Sequence, residues 1–185
     1  MHASEGHALS QSFQGKLHSM FDTIAARIVI SKGDFLIREG EVERNLYLVE
    51  SGALRVFYLS EFEEMTIRFG YKASIITSLS SFIKGTPSEF YIDAIRRTTV
   101  RVLAKDVLMK LVNENMQSLK EYTALLESLV TQQIEREIDL LITSPHERLN
   151  RVLKRSPNLF QEIPLKYIAS YLRMTPETLS RIRNS

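Results

Sequence analysis

From Ala26 to Leu103 apolar and polar residues alternate, and glycine or a polar cluster interrupts the alternation at short intervals. A period of two sends successive side chains to opposite faces, so this stretch reads as short, half-buried strands. The segments are 27–30, 35–38, 45–49, 53–58, 65–69, 91–95 and 99–103. Lys32-Gly33-Asp34 marks a turn between the first two, and Gly40 ends the second. Glu50-Ser51-Gly52 reads as a hairpin turn, with glycine where positive φ is needed. Many short strands punctuated in this way predict an antiparallel jelly roll.

Outside this region the spacing changes to three and four. Leu17, Met20, Phe21 and Ile24 predict a short helix after a polar tail that runs from residue 1 to about 15. Asp106 is the expected N-cap of another, with Leu108, Leu111 and Val112 on its apolar face. Asn113-Glu114-Asn115 interrupts, and a long helix follows to about Thr143. Its stripe is Leu119, Tyr122, Leu126, Leu129 and Gln133, continued slightly rotated by Ile134, Ile138 and Leu141. Uninterrupted by proline, it predicts a coiled-coil-like dimer seam. Packing on the chain's own sheet is the alternative. Ser144-Pro145 breaks the helix and makes a hinge. Arg148, Leu149, Val152 and Leu153 then predict a helix that ends at Ser156-Pro157-Asn158.

The last stretch, 163–183, reads as a helix-turn-helix. Pro164 suits a first turn, and Leu165, Ile168, Ala169 and Leu172 form one apolar face. Thr175 is an expected N-cap, Pro176 a first helical residue, and Glu177 favours the positive end of the helix dipole. Leu179 and Ile182 anchor this second helix. Glu177, Thr178, Ser180, Arg181, Arg183 and Asn184 are left outside. A helix of this kind enters the major groove by its N-terminal residues. Arg181 can donate two bonds to guanine, Glu177 can accept from cytosine, and Ser180 can do either. A solvated polar face on an ordinary helical hairpin is the alternative.

Composition sharpens this picture by exclusion. The 185 residues are 44% hydrophobic and 25% charged, as in an ordinary globular protein. Without cysteine there is no disulfide framework, Cys-ligated zinc or thiolate-held iron–sulfur cluster. No apolar run reaches membrane-spanning length and no signal segment opens the chain, so a cytoplasmic protein is expected. The four histidines, His2, His7, His18 and His146, lie outside the strands, which argues against a metal oxygenase on a jelly roll. P-loop, nucleophile-elbow and dinucleotide signatures are missing too, and no enzyme is expected.

The net charge of +2 is unevenly spread. From Ser144 to Ser185 eight Lys or Arg face three Glu, which leaves the rest of the chain slightly acidic. A basic segment that coincides with the motif suits a DNA-binding end on a separate body.

The segment Thr175-Pro176-Glu177-Thr178-Leu179-Ser180-Arg181 resembles the recognition helix of the Crp/Fnr transcription regulators, and 163–172 resembles the motif's first helix. The stretches 32–40 and 46–56 are similar to the two glycine-marked hairpins that open a cyclic-nucleotide-binding domain. The resemblance implies an α+β chain in three parts. These are a jelly-roll sensor over 1–112, a dimerisation helix over 113–143 and a helix-turn-helix domain over 144–185. It implies a homodimer that reads a two-fold-symmetric site with TTGA-like halves through Glu177, Ser180 and Arg181, with Thr175, Thr178 and Arg183 beside them. Double-stranded DNA, a second copy of the chain and RNA polymerase are the implied partners. Because only two residues follow Arg183, a reduced C-terminal extension and fewer phosphate contacts are expected.

The family's nucleotide cassette carries a Gly-Glu pair and, further on, an Arg for the cyclic phosphate. Along 69–90 no Glu follows the glycine and no Arg precedes the strand at Phe90, so no cyclic-nucleotide cofactor is expected. Lys72, Ser78, Ser80, Ser81, Thr98 and Thr99 are the candidates for a different effector. Satisfying their own backbone is the alternative. A ligand-binding or interaction protein whose helical tail meets another protein is the competing reading of the whole chain.

Overall fold

The computed structural model describes residues 13–184. The expected polar tail, with His2 and His7, lies mostly outside the described residues. Helix α1 (Phe13–Thr23) turns Leu17 and Phe21, four residues apart, into the core.

The strands are β1 (Ala26–Ile30), β2 (Phe35–Ile37), β3 (Asn45–Ser51), β4 (Ala53–Leu59), β5 (Glu64–Tyr71), β6 (Ile75–Ile76), β7 (Tyr91–Ala94) and β8 (Thr98–Ala104). They form two four-stranded antiparallel sheets, in the orders β1-β8-β3-β6 and β2-β7-β4-β5. Val49, Leu54, Ile76, Ile92 and Val100 are buried in the core of this jelly roll. At the β3–β4 turn Gly52 has φ +91, and a Cβ there would lie 2.4 Å from Thr98 Oγ1. Both the backbone angle and the close approach demand glycine.

Helix α2 (Leu79–Lys84), which the spacing did not predict, follows the two-residue strand β6 and ends at Gly85 with φ +71. Helix α3 (Lys105–Val112) packs Leu108, Leu111 and Val112 against Leu17, Phe21 and Leu103. The N-cap position is Ala104, the last residue of β8, because the strand runs straight into the helix. Asp106 falls in the first turn instead of capping it.

Helix α4 (Met116–Leu141) starts where the Asn115 side chain accepts from the Ser118 N–H at 2.8 Å. Its 26 residues span about 39 Å. Helix α5 (Pro145–Arg155) begins with Ser144 as N-cap and Pro145 in the first turn. The short α6 (Leu159–Glu162), α7 (Leu165–Tyr171) and α8 (Pro176–Arg183) complete the chain.

The C-terminal helices pack on the jelly roll. Leu149, Leu159, Ile163 and Ile168 share one buried cluster with Ala53 and Ile95. β5 is an edge strand, and α7 covers it: the Ser170 hydroxyl accepts from the Thr66 N–H at 3.1 Å and donates to the Glu64 carbonyl at 3.1 Å. Beneath them Arg55 is bound by both oxygens of Asp93 at 3.0 and 2.8 Å and by Glu64 at 2.7 Å. Its guanidinium lies 4.1 Å from the Phe57 ring centroid and 4.6 Å from that of Tyr167 in α7.

Candidate nucleic-acid interface

The motif's two helices meet through residues that leave no gap. Ile168, Ala169 and Leu172 from the first helix and Leu179 from the second are at most 1% exposed. Between them the chain turns at Arg173, whose φ is +53. The Met174 N–H reaches back to the Ala169 carbonyl at 3.0 Å, closing α7 with a left-handed residue. The site is usually glycine, because a side chain there costs about 1–2 kcal/mol.

Arg148 fixes this turn from below. It is 8% exposed, and its guanidinium donates to the Ile142 carbonyl at 2.7 and 3.2 Å, to Leu172 O and to Arg173 O at 3.3 Å. One side chain thereby ties the hinge after α4 to the turn of the motif.

Thr175 caps α8, accepting from the Thr178 N–H at 3.2 Å, and its hydroxyl lies 3.1 Å from that of Thr178. Glu177, in the first turn, meets the positive end of the helix dipole. Thr175, Glu177, Arg181 and Arg183 are exposed, while Thr178 and Ser180 are half-buried. Glu177 and Arg181, four residues apart, share one face, opposite the buried Leu179. The Arg183 guanidinium stands 5.4 Å from the Phe160 ring centroid.

The basic character of the C-terminal segment is only partly available for DNA. Arg148 is spent on carbonyls. Arg151 and Arg155 are paired with Asp139 of α4, at 2.8 Å for Arg151. Lys154, Lys166, Arg173, Arg181 and Arg183 remain exposed. The internal role of the three arginines was missed at the sequence level. The usable signal was an arginine beside Leu149 and Val152 on the apolar face of α5, and an acid, Asp139, between Ile138 and Leu140.

The residues proposed for an effector do not converge. Ser81 accepts from the Glu43 N–H at 2.9 Å and donates to Thr86 O at 2.5 Å. Ser78 is hydrogen-bonded to Ser88 at 2.7 Å. Thr98 accepts from the Ala53 N–H at 3.0 Å and donates to Arg96 O at 2.7 Å. Lys72 is exposed, and Ser80 and Thr99 are half-buried. Thr77, next to Ser78, binds the carbonyl of Asn45, whereas Thr99 pairs with Ser51. Six residues of strand β3 therefore separate the two groups, about 20 Å. The hydroxyls of Ser81 and Thr98 serve the backbone, and that of Ser78 serves a neighbouring hydroxyl. Glu43, which sequence reasoning missed, is 1% exposed, and burial raises its pKa against the opposing backbone hydrogen bonds from Asn45 and Arg44.

The expected seam on α4 is also redrawn. Tyr122 packs with Leu125 on the cluster around Phe21 and Leu108, while Leu129 and Gln133 line a cavity beside β5. Leu126 is half-buried. The exposed apolar stripe is Leu119, Val130, Ile134, Ile138 and Leu141, which are 42, 60, 51, 43 and 80% exposed. Leu119, Ile134, Ile138 and Leu141 belong to the expected line and Val130 joins them, whereas Tyr122 and Leu129 face their own chain.

Among the described residues no helix is long and apolar enough to cross a membrane, and no cluster of metal-ligating side chains occurs. Residues 27–115 match the family model of the cyclic nucleotide-binding domain. No curated protein sequence matches the chain closely. FixK2 from Bradyrhizobium japonicum has a similar structure, with a TM-score of 0.74 and 21% identity over 87% of this chain and 83% of the other. A mutant of CooA from Carboxydothermus hydrogenoformans gives 0.70 and 18%, over 94% and 83%. The c-di-GMP-responsive global regulator CLP of Xanthomonas campestris gives 0.64 and 13%, over 92% and 89%. At these identities what is shared is the fold, an antiparallel jelly roll joined by a long helix to C-terminal helices.

Proposed function

We propose that the chain is a sequence-specific DNA-binding transcription regulator of the Crp/Fnr type that acts as a homodimer. One observation carries this reading. On a capped helix anchored by the buried Leu179, Glu177 and Arg181 stand exposed on one face, with chemistry suited to cytosine and guanine edges. Lys154, Lys166, Arg173 and Arg183 are exposed cations available to the phosphates.

Two such helices must meet half-sites roughly 34 Å apart on one face of the duplex. The exposed apolar stripe of α4 supplies the pairing surface, since a second copy laid along the row from Leu119 to Leu141 takes it out of water. Support also comes from CLP, which is described as a global regulator that links cell–cell signalling to gene expression. This role places the protein in the cytoplasm, with RNA polymerase as a further partner. Cyclic AMP is not its signal, because the cassette lacks the glutamate and arginine that a cyclic nucleotide needs.

The test is fluorescence anisotropy on a duplex with TTGA-like halves and on a scrambled duplex. The protein binds the first more tightly, and Glu177→Ala with Arg181→Ala removes the preference while leaving salt-sensitive binding. Equal binding of both duplexes by the unaltered protein overturns the base-reading role.

A further inference from the structure

Between the outer side of β5, the second half of α4 and the C-terminal helices lies a cavity of about 580 Å³. Arg68, Arg136 and Arg155 stand in its wall, and no Asp or Glu lines it. Arg155 is already neutralised by Asp139. Arg68 makes no ion pair among the described residues.

Arg136 is the unusual member. It is 8% exposed, its Nη2 donates to the Tyr171 carbonyl at 2.7 Å, and the guanidinium lies 3.9 Å from the Tyr171 ring centroid. Its Nε and Nη1 are buried without an acceptor. Burial lowers its pKa, as expected for a cation short of partners. A buried guanidinium with two idle donors presents the fork that pairs with a tetrahedral or planar oxyanion.

The rest of the wall sets the kind of molecule. Phe69 and Tyr71 offer aromatic surface, and Gln132 and Ser74 offer polar groups. The volume is that of a small-molecule site. Two uncompensated cations match the two negative charges of a phosphate monoester better than the single charge of a cyclic diester.

We propose that this cavity binds a phosphate monoester carried on a planar ring, with the phosphate on Arg136 and Arg68 and the ring against Phe69 and Tyr71. Such a ligand touches sheet, long helix and C-terminal helices at once. Arg136 lies on the flank of α4 away from the exposed apolar stripe, so pairing of two copies leaves the site open. Any effect on DNA rests on the function proposed above; binding itself does not, and calorimetry reads it without DNA.

The experiment is titration calorimetry of the full chain with phenyl phosphate and with adenosine 5′-monophosphate. Phenol, adenosine, inorganic phosphate and cyclic AMP serve as controls. At least one monoester binds with one site per chain, its phosphate-free counterpart does not, and cyclic AMP binds at least about tenfold more weakly, the loss expected for a forfeited charge-assisted bond. Arg68→Gln, at a half-buried position, weakens the monoester about tenfold without moving the thermal midpoint. Arg136→Met abolishes binding. Absence of binding by both monoesters overturns the proposal, and so does affinity unchanged in Arg68→Gln.

Discussion

The Thr66 amide donates to the Ser170 hydroxyl at 3.1 Å, across 104 residues of sequence. The same hydroxyl donates to Glu64 O, so one serine of the motif's first helix completes two backbone groups on the edge of the sheet. Ser170→Ala leaves both without that partner and lowers stability by about 1 kcal/mol. Amide exchange at Thr66 accelerates, and the base preference of α8 is unchanged because Ser170 is not on its face. Exchange at Thr66 that stays as slow as in the unaltered protein contradicts the contact.

Arg148 holds three backbone carbonyls around the hinge and the motif turn. Arg148→Met keeps the apolar stem and removes every donor. Stability falls by roughly 3 kcal/mol, since buried carbonyls are left unpaired, and DNA affinity falls with it although Arg148 touches no base. Urea unfolding and anisotropy together check this. A variant as stable as the parent refutes the role.

Pairing through α4 depends on the exposed stripe. Val130→Asp with Ile134→Asp puts two charges at positions 60% and 51% exposed in the single chain, which the folded protomer tolerates. Sedimentation should then show monomers with an unaltered circular dichroism spectrum. A persistent dimer places the interface elsewhere.

The Asp139 carboxyl gives the fold an acid-side weakness. Burial pushes its pKa up, but hydrogen bonds from Arg155 and Arg151 and their charges outweigh burial and hold it below its ordinary 3.8. A folded value below the unfolded one adds stability that is complete above about pH 4 and is lost as pH falls through the folded value. Asp139→Asn is therefore less stable at pH 7, by about 3 kcal/mol, and loses less on acidification. Urea midpoints at pH 7, 5 and 3 test this, and parallel losses in both proteins contradict it.

What was legible in the sequence was local. Strand alternation, the Gly52 turn and the Thr175 cap depend on neighbours within a few residues, so spacing and residue type reveal them. The two-residue β6 is too short to show a period. On α4, Tyr122 and Leu129 are as apolar as Val130, and only tertiary packing decides which of them faces the chain's own core. For the hydroxyls named for an effector, the sequence left two readings open for a similar reason. Hydroxyls at 78, 81 and 98 look available until their partners, the Ser88 hydroxyl for Ser78 and backbone groups up to 45 residues away for the other two, are known. The burial of Arg136 and Arg148 beneath the motif is a long-range outcome that no periodicity records.

The central claim is that α8 reads bases, and selection of bound duplexes from random DNA tests it most directly. Performed at two salt concentrations, it should enrich a two-fold-symmetric site whose TTGA-like halves lie about one helical turn apart. The pattern should survive at the higher salt while overall retention falls. Retention that depends on salt but enriches no sequence would contradict the account.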